Sequence, residues 1–338
     1  MLRELTEAFG VSSEEHEVRS IIKTLVAKYC DRIFEDDFGN LFVVKGKKGK
    51  RLMLLAHMDE IGVMIIGIEK SGLLRFRPVG GIDPRVFLGK SLLITKDRIP
   101  GVIGHKPVHF TKEEERKKAE GVESMFIDIG ANSKEEAERH IKIGDYGIFA
   151  TKYREDGDII MGKAFDDRLG CYVLTEIMKR NFDAQIIGVF TVQEEIGTRG
   201  AKIAGFRMKP DCALAIEVTS TNDLPKDDKD VNRAPFLAKG PAITVTDQSI
   251  ICDRGLVDII IKTAERNNIP YQLKPPMIGG TDAGGVHLQR GGIKAAVISI
   301  PVRYIHSPCS IGCLSDLALT TKLMPLLIAK IIKEVKCN

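Results

Sequence analysis

The sequence predicts an α/β fold: a mostly parallel central sheet flanked by helices, with a small β-barrel domain inserted into it. Three observations carry that expectation. Apolar runs bounded by turn residues alternate with helix-periodic segments near the start of the chain and again after Gly162, the pattern of strands joined by crossover helices. From about Gly67 that alternation gives way to short β-like runs punctuated by Gly, Pro and Asp, which suggests a small barrel or sandwich. The length of 338 residues, with 43% hydrophobic and 28% charged residues, suits two domains with a substantial core. The expected division is 1–66 for the first part of the α/β domain, 67–160 for the inserted β domain and 161–338 for the second part.

Element by element, residues 2–29 alternate apolar and charged residues at helical spacing, with Ser12 and Ser13 ahead of Glu14 and Glu15 as a start signal. A turn at 36–40 leads into a strand at 41–44, and a second turn at 46–50 into a fully apolar strand at 52–56 that ends at His57. In the insertion, strands are expected at 73–76, 91–95, 101–103, 125–129 and 147–151, with an exposed charged loop at 111–120 and a short helix at 133–141. The second α/β part then reads helix 167–180, strand 186–192, strands 212–218 and 242–246, helix 256–267, strand 295–300 and a long helix 315–335.

Composition narrows the function classes. The net charge of +4 is small, and basic runs such as Lys47-Lys48 and Arg116-Lys117-Lys118 are short. No basic stripe marks a nucleic-acid partner. Seven cysteines at irregular spacing do not make a disulfide framework, and Cys309 and Cys313 lack the second pair of a structural zinc knuckle. The first residues carry charges and no apolar core, and no run approaches the ~20 apolar residues of a membrane helix. A soluble, cytoplasmic protein without nucleic-acid or membrane partners is expected.

Five places put an acid or a histidine at a strand end or a helix start, where open parallel sheets gather their sites. His57 closes the first apolar strand, with Asp59 two residues on to hold its ring. Asp166 precedes a helix, where it would cap the N-terminus, but Asp167 beside it adds a repulsion that a cation would relieve. Glu194 and Glu195 follow a buried strand and are poor core residues. In a metal hydrolase one such carboxylate binds metal while its neighbour acts as general base. Glu217 closes an apolar strand and needs a partner there. His306 follows another buried strand and completes a histidine and carboxylate set suited to two divalent ions. The run Gly279–Gly285 has no phosphate-loop spacing. Its glycines let backbone approach a substrate, and Asp282 would cap the following helix. The remaining histidines, His16, His105, His109, His140 and His287, have no metal-type spacing.

The motifs His57-Met58-Asp59-Glu60-Ile61-Gly62, Lys163-Ala164-Phe165-Asp166-Asp167-Arg168, Glu194-Glu195-Ile196-Gly197, Gly280-Thr281-Asp282-Ala283 and Arg303-Tyr304-Ile305-His306-Ser307-Pro308 occur in the order seen in metallopeptidase family 42. The chain resembles these TET-type and glutamyl aminopeptidases over almost its whole length, the insertion included: Val79-Gly80-Gly81-Ile82-Asp83-Pro84, Gly101–Gly104 and Ile127–Ala131. The resemblance implies that Asp166 bridges two divalent ions, zinc or cobalt, which His57, Glu217, Glu195 and His306 complete. It implies Glu194 as general base, Asp59 as the residue that orients His57, and Gly280, Thr281 and Asp282 as substrate-binding. It also implies a PDZ-like dimerisation domain, short peptides as substrates, and a homo-oligomer built from dimers, up to a dodecamer. Two positions depart from the pattern: Glu217, where the family commonly has aspartate, and the segment after His306, where an acid is common.

Some relatives of that family carry an endoglucanase label, so a glycoside hydrolase using paired carboxylates is one alternative. The absence of Trp and the 6% aromatic content speak against it. A non-catalytic metal-binding scaffold is the other, and the Glu194 left over beside a complete ligand set speaks against that.

Overall fold

The computed structural model describes residues 1–113, 121–221, 223, 225, 235–276 and 279–335. Residues 114–120 of the expected charged loop, the run Arg116-Lys117-Lys118 and Cys337 therefore lie outside the described residues.

An eight-stranded sheet runs in the order β1-β2-β12-β3-β13-β16-β14-β15, with β1 at Arg32–Glu35, β2 at Leu41–Lys45, β3 at Arg51–His57, β12 at Gln185–Thr191, β13 at Cys212–Ser220, β14 at Ala242–Thr244, β15 at Gln272–Lys274 and β16 at Lys294–Val302. The central four, β12, β3, β13 and β16, are mutually parallel, while β2 joins β12 and β14 joins β16 in antiparallel fashion. Sheets of this kind are covered on both faces, which is why β3, β12, β13 and β16 are near-continuous runs of buried apolar residues. Helix Phe165–Met178 packs on β3 and β13 and carries Leu2–Glu7, His16–Val26 and Leu314–Glu334 against it, while Arg199–Met208 packs with Asp282–His287. The expected α/β architecture is the one observed.

The insertion is a closed antiparallel barrel, β4-β5-β8-β7-β6-β9, formed by Gly62–Ile68, Leu74–Val79, Phe126–Asp128, Ile99–Gly104, Ser91–Ile94 and Tyr146–Phe149 respectively. Alternate residues such as Val63, Ile65, Leu74, Phe76, Leu92, Ile94 and Ile127 fill it together with Phe87 and Phe149. Its first strand begins at Gly62, inside the stretch assigned from sequence to the α/β part. Strands β10 (Arg154–Asp156) and β11 (Ile159–Gly162) pair with β17 (Ser310–Cys313) in a separate three-stranded sheet.

The helix-periodic opening segment 2–29 is two helices, Leu2–Glu7 and His16–Val26, the second beginning just past the start signal at Ser12–Glu15, followed by a 3₁₀ turn at Ala27–Tyr29. A tertiary contact lies at the break. A Cβ at Gly10 would lie 2.5 Å from the Arg168 guanidinium and 2.7 Å from Val18, so only glycine lets this segment pass close over the buried arginine. The short helix in the insertion shrinks to Lys134–Ala137, with the Ser133 hydroxyl accepting from Glu136 N at its start.

Candidate metal centre

The carboxyl ends of the parallel strands bring the candidate residues together. His57 is the last residue of β3 and pairs in register with Thr191 at the end of β12. Glu194 and Glu195 follow three residues later in the chain, Glu217 lies near the end of β13, and His306 follows β16. Asp166 opens the helix that crosses behind β3, with extended dihedrals at φ −79°, ψ 110° and a cis bond to Asp167.

The two consecutive aspartates serve different groups. Asp166 Oδ1 lies 3.2 Å from His57 Nε2, and Asp166 Oδ2 lies 3.4 Å from His306 Nε2. Asp167 Oδ2 accepts from His57 N at 3.1 Å, while its Oδ1 accepts from Gly170 N at 3.1 Å and so caps the helix start. Glu195 Oε2 stands 3.4 Å from His306 Nε2, while Glu194 Oε2 and Glu217 Oε2 stand 3.9 and 3.8 Å from His57 Nε2. Two groupings place possible ligand atoms within 4.8 Å of one another: His57, Asp166 and Glu195, and His57, Asp167 and Glu217. In the second, backbone N–H groups already engage both oxygens of Asp167, so Asp166 is the freer carboxylate.

Behind the cluster, hydrogen bonds fix its parts. His57 Nδ1 lies 3.1 Å from the backbone oxygen of Asp59 and 3.5 Å from its carboxylate. That carboxylate accepts from Glu194 N at 3.0 Å, Glu195 N at 3.1 Å and the Ser12 hydroxyl at 2.6 Å. One buried aspartate thus sets both the histidine ring and the turn carrying the two glutamates. Glu60, next in the chain, is paired with Lys163 Nζ at 2.8 Å and with Arg168 at 3.1 Å. Arg168, fully enclosed, also donates to Met58 O at 2.8 Å and Gly10 O at 3.3 Å.

The electrostatics are those of an anion-rich, water-poor cavity. Burial pushes Glu194, Glu217 and Asp167 well above the usual carboxylate range, Glu195 up to about 7 and Asp282 up to about 6, each helped by neighbouring carboxylates. For Asp166 burial acts in the same direction, but the His306 and His57 hydrogen bonds outweigh it and hold the group well below that range. Burial opposes charge on the imidazoles too. The Asp166 and Asp59 hydrogen bonds nevertheless raise His57 well above its ordinary value, and the Glu195 charge with Asp166 raises His306 to about 10. The enclosed carboxylates outnumber the two imidazoles, so the cluster lacks positive charge.

These side chains open onto a cleft of about 590 Å³ whose walls include Gly81, Thr198, Val218, Lys274, Ile305 and the backbone at Gly279–Thr281. Gly280 and Thr281, the candidates for substrate binding, form part of that wall. Asp282 is fully enclosed behind the wall: Thr191 donates its hydroxyl to Asp282 Oδ2, and Asp282 N donates to Glu217 Oε1 at 3.1 Å. The expected capping by Asp282 is not seen, since the helix Asp282–His287 has Thr281 at its N-cap. Sequence reading passed over Lys274, took Ser12 only as a helix start, and named Asp167 only for its repulsion of Asp166. Of the three, only Asp167 carried a signal of the site, its repetition of Asp166. Among the described residues, neither Cys309 and Cys313 nor the other histidines belong to a metal-type grouping.

A model of the family described as M42 glutamyl aminopeptidase matches residues 39–323. A putative aminopeptidase of Acetivibrio thermocellus is 42% identical over 329 residues, covering 96% of each chain. A lysyl aminopeptidase of Pyrococcus furiosus is 32% identical over 340 residues, 98% of this chain and 96% of that protein. Among solved structures, a TET aminopeptidase from the marine sediment archaeon Thaumarchaeota archaeon SCGC AB-539-E09 superposes with a TM-score of 0.93 at 35% identity, over 99% of this chain and 95% of that one.

Proposed function

The chain belongs to the M42 glutamyl aminopeptidase family, and from that premise we propose that it cleaves N-terminal residues from short peptides at a centre of two divalent metal ions, with Glu194 as general base. The observation that carries the reading is Asp166 with its two oxygens turned to two different histidines, His57 and His306. A carboxylate so placed is suited to lie between two ions, one completed by His57 and Glu217 and the other by His306 and Glu195. The donor chemistry fits: imidazole nitrogen and carboxylate oxygen suit zinc or cobalt, and among the described residues the buried carboxylates outnumber the cations of the cleft, His57, His306 and Lys274. Bound there, such ions polarise a carbonyl and lower the pKa of water towards roughly 7.

The rest of the chemistry falls to side chains of this chain. Glu194 lines the cleft with a carboxylate that accepts no hydrogen bond from any described residue, which leaves it free to take the proton of the attacking water and return it to the leaving amine. Asp59 keeps His57 and the Glu194–Glu195 turn in register. The surrounding carboxylates are natural partners for a substrate α-ammonium, which restricts cleavage to N-termini. A glycoside hydrolase would leave His57 and His306 without a task, and a closed structural site would not open onto a cleft.

The barrel, with Val102 and Phe110 48% and 72% exposed, is proposed as the dimerisation domain of a homo-oligomer that extends to a dodecamer. No helix among the described residues is long and apolar enough to cross a membrane, and we place the protein in the cytoplasm. Glu194→Gln tests the mechanism. It should lower kcat by about 10²-fold or more while metal content, measured by mass spectrometry, stays at the wild-type level. Near-normal turnover in that variant would remove Glu194 from its role.

A further inference from the structure

Of the side chains lining the cleft, Lys274 is the only lysine or arginine among the described residues, and the hydrolytic scheme gives it nothing to do. It closes the edge strand β15 opposite Thr244. Its neighbour Leu273 faces solvent at 54% exposure, so strand alternation turns Lys274 to the other side. The ammonium makes no hydrogen bond or ion pair with any described residue. Burial pushes it below the ordinary lysine range, although the charges of Asp247, Glu217 and Asp166 act in the other direction. Asp247 is near but not its partner. Asp247 Oδ1 is taken up by Ser249 N at 2.7 Å, the Ser249 hydroxyl at 2.8 Å and Ile250 N at 3.0 Å, and its buried Oδ2, which has no hydrogen-bond partner, forms no ion pair with the ammonium.

A partly desolvated cation without a partner is costly, and the cost is recovered when an anionic group arrives. A second group without a partner stands in the wall of the same cleft, its oxygen covered. The Thr281 hydroxyl belongs to a residue only 6% exposed and has no hydrogen-bond partner. Val218 and Ile305 give the cleft apolar wall, and Gly279 and Gly280 add no side-chain bulk. That combination suits a short aliphatic stem ending in a polar, negatively charged group.

Resting on the aminopeptidase reading above, we infer that Lys274, with the Thr281 hydroxyl, is the cleft's receptor for a substrate carboxylate and sets its specificity. Family membership does not dictate this, since a relative within the same family is a lysyl aminopeptidase. Two parts of a short peptide carry a carboxylate: the side chain of an acidic N-terminal residue, and the free C-terminus of a dipeptide.

The test uses the full chain with metal and measures kcat/KM on two substrate pairs: glutamyl- against leucyl-p-nitroanilide, and Leu-Ala against Leu-Ala-amide. The carboxylate member should lead by roughly 10-fold in one pair, and the pair that shows the lead identifies the source. Lys274→Met should bring that ratio close to one, mainly through KM. Lys274→Arg should restore it, and Lys274→Glu should favour lysyl-p-nitroanilide. A lysine that merely balances charge in the cluster would, on removal, lower both members of a pair together. An unchanged ratio, or ratios near one in the wild type, overturns the assignment. Should no substrate be cleaved, the aminopeptidase reading fails on its own. Calorimetric binding of L-glutamate against L-norleucine, in wild type and Lys274→Met, then decides the matter: glutamate binding no weaker in the variant overturns the role of Lys274.

Discussion

At the scale of single residues, the centre depends as much on side chains that touch no ligand as on those that would. Ser12 illustrates this. Its hydroxyl donates to Asp59 Oδ2 at 2.6 Å, and Asp59 in turn holds the backbone of Glu194 and Glu195. Ser12→Ala leaves a fully buried carboxylate short of one donor. The variant should lose about 1–3 kcal/mol of stability in urea denaturation, together with a fall in kcat from the loosened glutamate turn. An unchanged kcat would confine Ser12 to a structural role. The tie of Ser12 to the centre was not legible from sequence, because its partner lies 47 positions away and two serines ahead of two glutamates read as a helix start. His57, Asp166, Glu195, Glu217 and His306 stood out in the sequence because each lies at or near the end of an apolar strand or the start of a helix, where a polar residue is conspicuous.

At the scale of elements, long apolar runs such as β3, β12, β13 and β16 announced themselves, whereas β1, β10, β15 and β17, each of three or four residues, carry too little periodicity to read. The restart of the opening helix after Ser12 and Ser13 carried a local signal, whereas the close pass of Gly10 over Arg168 did not, since that arginine belongs to an element far along the chain. Tertiary ties also hold the segment leading to His306. Arg303, just past β16, pairs with both oxygens of Asp223 at 2.8 and 2.7 Å, joining the ends of β13 and β16 beyond the sheet. The Arg303 guanidinium overcomes the opposing effect of burial and lowers the Asp223 carboxyl to about 2. A carboxyl group depressed in the fold stabilises it at pH values above its unfolded pKa near 3.8, and that contribution is lost as pH falls towards 2. Asp223→Asn should accordingly be less stable than wild type by about 1 kcal/mol at pH 6, since solvent screens the partly exposed pair, with the gap closing between pH 4 and pH 2. A gap that persists at pH 2 in urea melts would show that charge is not its origin.

At the scale of the whole molecule, the sheet delivers a set of acids into one enclosed space at a cost in mutual repulsion, which protonation relieves when no cation is bound. Divalent ions binding only the folded chain stabilise it by mass action. Exhaustive dialysis against chelator should therefore lower Tm by several degrees, and zinc or cobalt should restore it together with activity. A Tm indifferent to chelator would mean that the acids are accommodated without a cation.

One contact reaches across the architecture. Gly81 sits just past β5 of the barrel, and its carbonyl oxygen lies 2.9 Å from His306 Nδ1, on the imidazole that meets Asp166 and Glu195 through its other nitrogen. The inserted segment is thus no detachable module: a shortened chain that spliced Glu60 directly to the next strand would keep every acid of the centre yet surrender the grip on one of its histidines. A chain without the barrel would need another acceptor for that ring.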